Sequence, residues 1–433
     1  MKKITLKGTR QANTMMALVM VTTAHLTGPQ AHADFIFSTT GEGTVSTVQS
    51  HTYTVIGDGS YDFDFNFVPE EGTLNVINGG ILTTYELIAG YQGVGTLNVN
   101  GGTINVTVDS YIGYQYNGTA TVSSGSWATG GNLYIGGTSP GYDSPGVLNI
   151  SGGTVTVSRD LTRNSASTIN LNTGGTLQIG TGGNTGTLLG GTGNLTNNGT
   201  LIFNRSDAYS YSGVLSGSGT LVQQGTGTLT LSGSSNYGGE TNVSAGTLEL
   251  DGDGALTDTS GVNINGGTLL LTNVSDRINH AAVISLGATT GDSILRLSGN
   301  VSEALGGMTL AGGNADRRVI DFGSGDGYLS MENLTGSSSQ GLEIWNWTDG
   351  TDHLYVNSGS LWGTLTTSNI SFFSDGGSSL IGTAQFTSGS NELVPSGLVP
   401  VPEASTLLGV LGLMAPLAWR ERRHWMRCRE ARG

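Results

Sequence analysis

Residues 72–94 read GTLNVINGGILTTYELIAGYQGV, residues 95–117 read GTLNVNGGTINVTVDSYIGYQYN, and residues 118–145 read GTATVSSGSWATGGNLYIGGTSPGYDSP, after which GVLNI opens again at Gly146. The starts Gly72, Gly95, Gly118 and Gly146 are 23, 23 and 28 residues apart, and the longer step carries five extra residues in the turn GTSPGYDSP. A fixed period of this size marks a repeat architecture. Seven residues after each start stands Gly79, Gly102, Gly125 or Gly153; eighteen after the first three stands Gly90, Gly113 or Gly136. Three glycine positions per repeat suggest three corners per coil, where positive φ or close backbone approach is needed.

Between the corners the sequence alternates with the period of a strand. Leu74, Leu97, Ala120 and Leu148 share one offset, Val76, Val99, Val122 and Ile150 a second, and Ile81, Ile104, Trp127 and Val155 a third. Ile112 and Ile135 hold a third-face position where the first repeat has Ala89. Each column sets apolar against apolar, as stacked coils require. A single coil cannot fold alone, because its few inward side chains do not offset the entropy of ordering its backbone; stacking adds a hydrogen-bond ladder on both sides. The expected fold is all-β, a right-handed parallel β-helix or solenoid with capping strands. At about 4.8 Å per coil, a body of about 360 residues predicts a rod on the order of 70 Å.

These repeats, from Glu71 to near Asp160, resemble the short repeat shared by type V secretion passengers and PEP-CTERM proteins. Between residues 195 and 250, Gly217, Gly219, Leu221, Gly225, Gly227, Leu229, Leu231, Gly233, Tyr237, Gly239, Val243, Gly246 and Leu248 fill a second pattern. It resembles the autotransporter-associated β-strand repeat, again strand, glycine corner, strand. Residues 263–393 are less periodic but read as β, and GLEIWNW with TDHLYV resembles the module that precedes the sorting tail in such proteins. Its aromatics Trp345, Trp347, Tyr355, Trp362, Phe372 and Phe373 are expected to cover the open coil end, since an uncovered edge templates aggregation.

The two ends speak of export. Lys2, Lys3, Lys7 and Arg10 precede a short apolar run, Met15–Ala24, and Ala31-His32-Ala33 forms a small-x-small cleavage site before Asp34; this reads as a signal peptide with its helix. At the other end Pro402-Glu403 precedes the 13-residue apolar run Leu407–Trp419 and arginines at 420, 422, 423, 427, 429 and 432. The order resembles the PEP-CTERM sorting signal, with Ala404 where that family usually has a second proline. The resemblance implies processing by an exosortase-type protease. The apolar run is short for a permanent span, so a transient membrane helix is expected, with Arg420, Arg422 and Arg423 as its basic stop on the cytoplasmic side.

The organisation so read is signal peptide 1–33, N-terminal cap strands 34–70, 23-residue repeats 71–165, connecting coils 166–194, autotransporter-associated repeat 195–255, C-terminal β module 256–395 and sorting tail 396–433. Between Asp34 and Ala404 there are seven arginines, no lysine and thirty acids, a net charge of −23. Such a body is unsuited to nucleic acid, whose phosphates require basic patches. The only cysteine is Cys428, in the tail, so no disulfide staples the body.

Catalysis needs a base or nucleophile at workable spacing, and the body offers only His51, His280 and His353 and no Cys or Lys. Arg317-Arg318 with Asp321 and Asp326 is the one basic–acidic cluster, read as strand or turn charges facing solvent, and His353 is read as a turn residue. Asp251/Asp253, Asp58/Asp62/Asp64 and Asp349/Asp352 supply oxygen ligands but match neither the EF-hand spacing nor the calcium nonapeptide. No enzyme activity, cofactor or metal is expected. The reading is an exported structural or adhesion protein of the bacterial surface or matrix, with signal peptidase and an exosortase-type protease as processing partners and polysaccharide or further copies of itself as binding partners. One rival is a secreted carbohydrate-active β-helix enzyme, a polysaccharide lyase or glycosidase, which needs Asp and Arg clustered on one external face. Another is an autotransporter passenger, which requires a C-terminal membrane β-barrel.

Overall fold

The computed structural model describes residues 71–137, 144–191, 193–287, 291–313 and 316–397, and upstream of these 36–39, 41–46, 48–56, 59–61 and 67–69. The chain is an all-β parallel solenoid whose coils fall into two compact units. Of the described residues, one holds those up to Thr181 with Thr185–Gly190 and Asn198–Thr200; the other holds Gly182–Asn184, those within Gly191–Asn197 and those from Leu201 on.

In the first unit each coil contributes three strand segments, and each segment pairs in parallel with its counterparts one coil away. Gly72–Ile77 lies between Gly41–Val45 and the start of Gly95–Val106; Gly118–Thr129, Gly146–Ile150 and Thr168–Leu171 continue the row. Register joins Val76 to Val99, Val99 to Val122 and Val122 to Ile150, all four fully buried. The expected column therefore stands. Ala89, Ile112 and Ile135 likewise stack on the third segment. The stretch 34–70 contributes Val48–Ile56, paired in parallel with Ile81–Ala89, and an antiparallel hairpin of Gly59–Tyr61 with Phe67–Pro69.

Two expectations need correction. Leu82, not Ile81, pairs with Ile104 and is buried, while Ile81 faces Thr103. The first repeat places four residues between Val76 and Ile81 where the second has three between Val99 and Thr103, and one extra residue flips every following side chain to the other face. Nor do Gly102 and Gly125 end strands: Gly95–Val106 and Gly118–Thr129 run through them. The register shifts there, as at a β-bulge, which bends a strand without breaking it. The corner closed by Gly113 and Gly118 does depend on glycine. Gly113 has φ +87°, and a Cβ on Gly118 would lie 2.2 Å from the Gly113 backbone nitrogen and 2.9 Å from the Ala89 carbonyl.

The second unit repeats the architecture with less regular coils. Leu229, Leu248, Leu269, Leu295, Ile320, Ile344 and Phe372 form one continuous buried column, each registered on the next by parallel pairing. The ladder then reverses: Ile370–Ser374 pairs antiparallel with Ser379–Phe386, which pairs antiparallel with Leu393–Pro395. These two strands, rather than the aromatic side chains, cover that sheet edge. Phe372 and Trp347 are interior, meeting edge to face at 4.8 Å, and Phe322 adds a second such contact with Trp347 at 5.4 Å. Trp362 remains half exposed on Leu361–Gly363.

Candidate functional surface

The basic–acidic cluster does not assemble. Arg317 pairs with Asp292 at 2.9 Å and lies over the Trp345 ring at 4.9 Å. Arg318 is buried and donates to the carbonyls of Ala311 (2.8 Å from Nε) and Gly313. Burial pulls its guanidinium pKa down. Asp321, also buried, accepts from Arg296 and from the Asn346 amide, both at 2.7 Å, and from the Gly323 N–H. Two of the four charges read as solvent-facing are therefore interior. They stay there because backbone carbonyls, an amide and an ion pair satisfy them, the condition under which buried charges persist. The external Asp–Arg face that a β-helix lyase requires is not formed by these residues.

His353 is on a strand, His353–Val356, not in a turn. Its Nδ1 lies 2.6 Å from Glu392, and its ring is near those of Tyr328 and Tyr355. Of the acidic turns, Asp251 accepts the Thr272 hydroxyl at 2.8 Å, the main cause of its lowered pKa. Asp352 is buried and takes the N–H groups of Gly327 and Thr348 at 3.0 and 2.7 Å. Among the described residues no three His, Cys, Asp or Glu side chains group to hold an ion. Asp58, Asp62 and Asp64 lie outside those residues, as do Ala31, Ala33, Asp34, Pro402, Glu403, Arg420, Arg422, Arg423 and the stretches 15–24 and 407–419 expected to be helical. Among the described residues no helix is long and apolar enough to cross a membrane.

A different assembly stands on the third segment of the first unit's coils. The outward residues Tyr111 and Tyr134 are registered on adjacent strands, and their rings stack at 4.9 Å and 9°. Tyr114 meets Tyr111 edge to face at 5.2 Å, and Tyr91, one coil back, stacks on Tyr114 at 5.9 Å. All four rings are half-buried. The register also sets Glu86, Asp109, Asn132 and Asp160 one above another beside the tyrosines. Asp109 accepts the Asn132 N–H at 2.6 Å, Asn132 accepts the Asp160 N–H at 3.1 Å, and the Asn132 amide donates to the Tyr134 hydroxyl at 3.0 Å. Burial, then the Asp109 charge, pushes the Tyr111 and Tyr134 hydroxyls up, and the same two causes raise Glu86. Tyr111 and Tyr134 thus stay neutral; the Tyr111 hydroxyl donates to Asp109 and keeps acceptor capacity, and the Tyr134 hydroxyl, which accepts from Asn132, keeps its own hydrogen to donate. The result is a fixed strip of aromatic edges, hydroxyls, an amide and carboxylates across neighbouring coils.

This strip is absent from the expectations drawn from sequence, which rest on inward columns. Its signal was present: Tyr111 and Tyr134 share the offset of sixteen residues from Gly95 and Gly118, and Tyr91 and Tyr114 the offset of nineteen from Gly72 and Gly95.

The stacked parallel coils define a repeat protein of the solenoid class. Residues 221–250 match the passenger-associated transport repeat family, inside the stretch read as an autotransporter-associated repeat. Over 79 residues, 18% of this chain, the sequence is 38% identical to the protein named "Adhesin BmaC autotransporter" of Brucella suis biovar 1 (strain 1330). The aligned part is 2% of that protein's length. No solved structure matches the chain.

Proposed function

We propose that this chain is an exported, non-catalytic structural protein of adhesin type, which works by displaying a long repetitive surface to polysaccharide, neighbouring cells or copies of itself. The observation that carries this reading is the match of residues 221–250 to the passenger repeat, on coils whose apolar residues point inward in register. The resemblance to an adhesin autotransporter over part of the chain supports it. Signal peptidase acts after Ala33. The Pro402-Glu403 signature, the apolar run and Arg420, Arg422 and Arg423 deliver the protein through an exosortase-type protease, with the inner membrane as a transient stage before the cell surface or matrix. An acidic body lends solubility to such a chain. A deletion strain tests the proposal. It should lose attachment to surfaces or to neighbouring cells, and the gene supplied in trans should restore it. Attachment unchanged by deletion would refute the adhesive role.

A further inference from the structure

We infer that the tyrosine–carboxylate strip of the first unit is a binding surface for an uncharged, extended polysaccharide. The inference rests on the adhesive reading above and names the ligand class. Four observations support it.

The first is shape. Tyr111 and Tyr134 stand one coil apart, about 4.8 Å, the same order as the rise per sugar in an extended β-linked glycan, so two adjacent sugars meet equivalent hydroxyls. The second is preorganisation. Tyr111 and Tyr134 are held by their mutual stack, and Tyr114 by its contacts with Tyr111 and Tyr91. Little side-chain freedom is left to lose on binding, and tyrosine offers rigid amphipathic area at low entropic cost.

The third is hydrogen-bonding chemistry. The strip alternates neutral phenol hydroxyls, the Asn132 amide and the carboxylates of Asp109 and Asp160. A sugar hydroxyl both donates and accepts, so it can pair with the capacity these groups keep beyond their bonds to one another. The fourth is charge. Glu86, Asp109 and Asp160 stand in one column on a body of net charge −23. Like charges facing each other exclude anionic partners, which removes acidic polysaccharides and nucleic acids.

The test is native affinity electrophoresis of the purified full chain in gels containing hydroxyethylcellulose, laminarin or dextran, with carboxymethylcellulose as the charged counterpart of the first. The expected result is retardation by at least one uncharged glycan and little by carboxymethylcellulose. The double variant Tyr111→Phe/Tyr134→Phe keeps both rings stacked and should melt like the parent, yet bind about tenfold more weakly, as loss of roughly 1.4 kcal/mol of hydrogen bonding implies. Asp109→Asn should act in the same direction. Equal retardation of parent and Phe variant would overturn the inference, as would preference for carboxymethylcellulose. Failure to bind any uncharged glycan, in a protein whose deletion still abolishes cell attachment, would overturn it too and leave the adhesive function standing.

Discussion

Replacing Val99 by aspartate attacks the solenoid at its most regular point. Val99 is fully buried, with Val76 on one side and Val122 on the other. Its burial contributes about 1.5–3 kcal/mol. An aspartate there has no cation in reach in either neighbouring coil position, so it must become neutral. Protonating a group of ordinary pKa near 3.9 at pH 7 costs about 4 kcal/mol at 1.36 kcal/mol per unit. An unmatched carboxylic hydroxyl adds about 1–3 kcal/mol. The total is roughly 7–10 kcal/mol, comparable to the whole stability of a typical domain. Val99→Thr, close in shape, should cost only about 1–3 kcal/mol. Because repeat arrays unfold by neighbouring units, the assay is hydrogen exchange resolved along the chain. Protection should collapse in Gly72–Ile77, Gly95–Val106 and Gly118–Thr129 and persist in the second unit's column from Leu248 to Phe372. Lowering the pH below about 4 should restore much of it, since the protonation cost vanishes there. Unchanged protection around residue 99 at pH 7 would refute the inward register.

Glu303 is buried and pushed up to about 7, burial outweighing the N–H donors of Arg277 and Ile278 that favour its charge. The folded chain therefore keeps a proton that the unfolded chain releases near 4.5, so this residue makes stability fall by about 3 kcal/mol as pH rises from about 4.5 to 7, then stay level. Glu303→Gln should flatten that slope in melts at pH 4.5 and 7.5; an identical slope in the variant would exclude Glu303 as its source. The purified chain should release no product from neutral or acidic polysaccharides. Turnover abolished by Glu86→Gln or Asp109→Asn would move the raised Glu86 and its neighbour from binding to glycoside chemistry. Replacing Arg420, Arg422 and Arg423 by Glu should leave unprocessed precursor in the inner membrane, and removing everything after Glu403 should release the protein to the medium; parental localisation of both would contradict the sorting reading.

The first unit was legible because its coils are nearly equal in length. A step of 23 residues aligns Leu74 with Leu97 and Val76 with Val99, and pairing follows the same numbers. Where a corner gains one residue, as before Ile81, simple counting fails while the sheet absorbs the change. In the second unit the column from Leu248 advances by 21, 26, 25, 24 and 28 residues to Leu269, Leu295, Ile320, Ile344 and Phe372. No fixed period survives there, since turns of any length join strands of constant spacing. Buried Arg318 and Asp321 depart from the expectation because charged residues are rarely interior unless paired; the Arg318 acceptors are nearby backbone carbonyls, of residues 311 and 313, which no side-chain pattern reveals, and the Asp321 partner, Arg296, stands 25 residues earlier. The tyrosine strip was overlooked for a related reason. Its rings lie on the outer side of the same strands, where a search for core positions does not look.

Export and sorting together fix where the mature protein resides and what it consists of. Surface proteolysis of intact cells, followed by intact-mass measurement of the susceptible chain, reads both at once. The expected result is a surface-accessible protein that begins at Asp34 and lacks the arginine tail. A protease-protected protein with the mass of all 433 residues would contradict it.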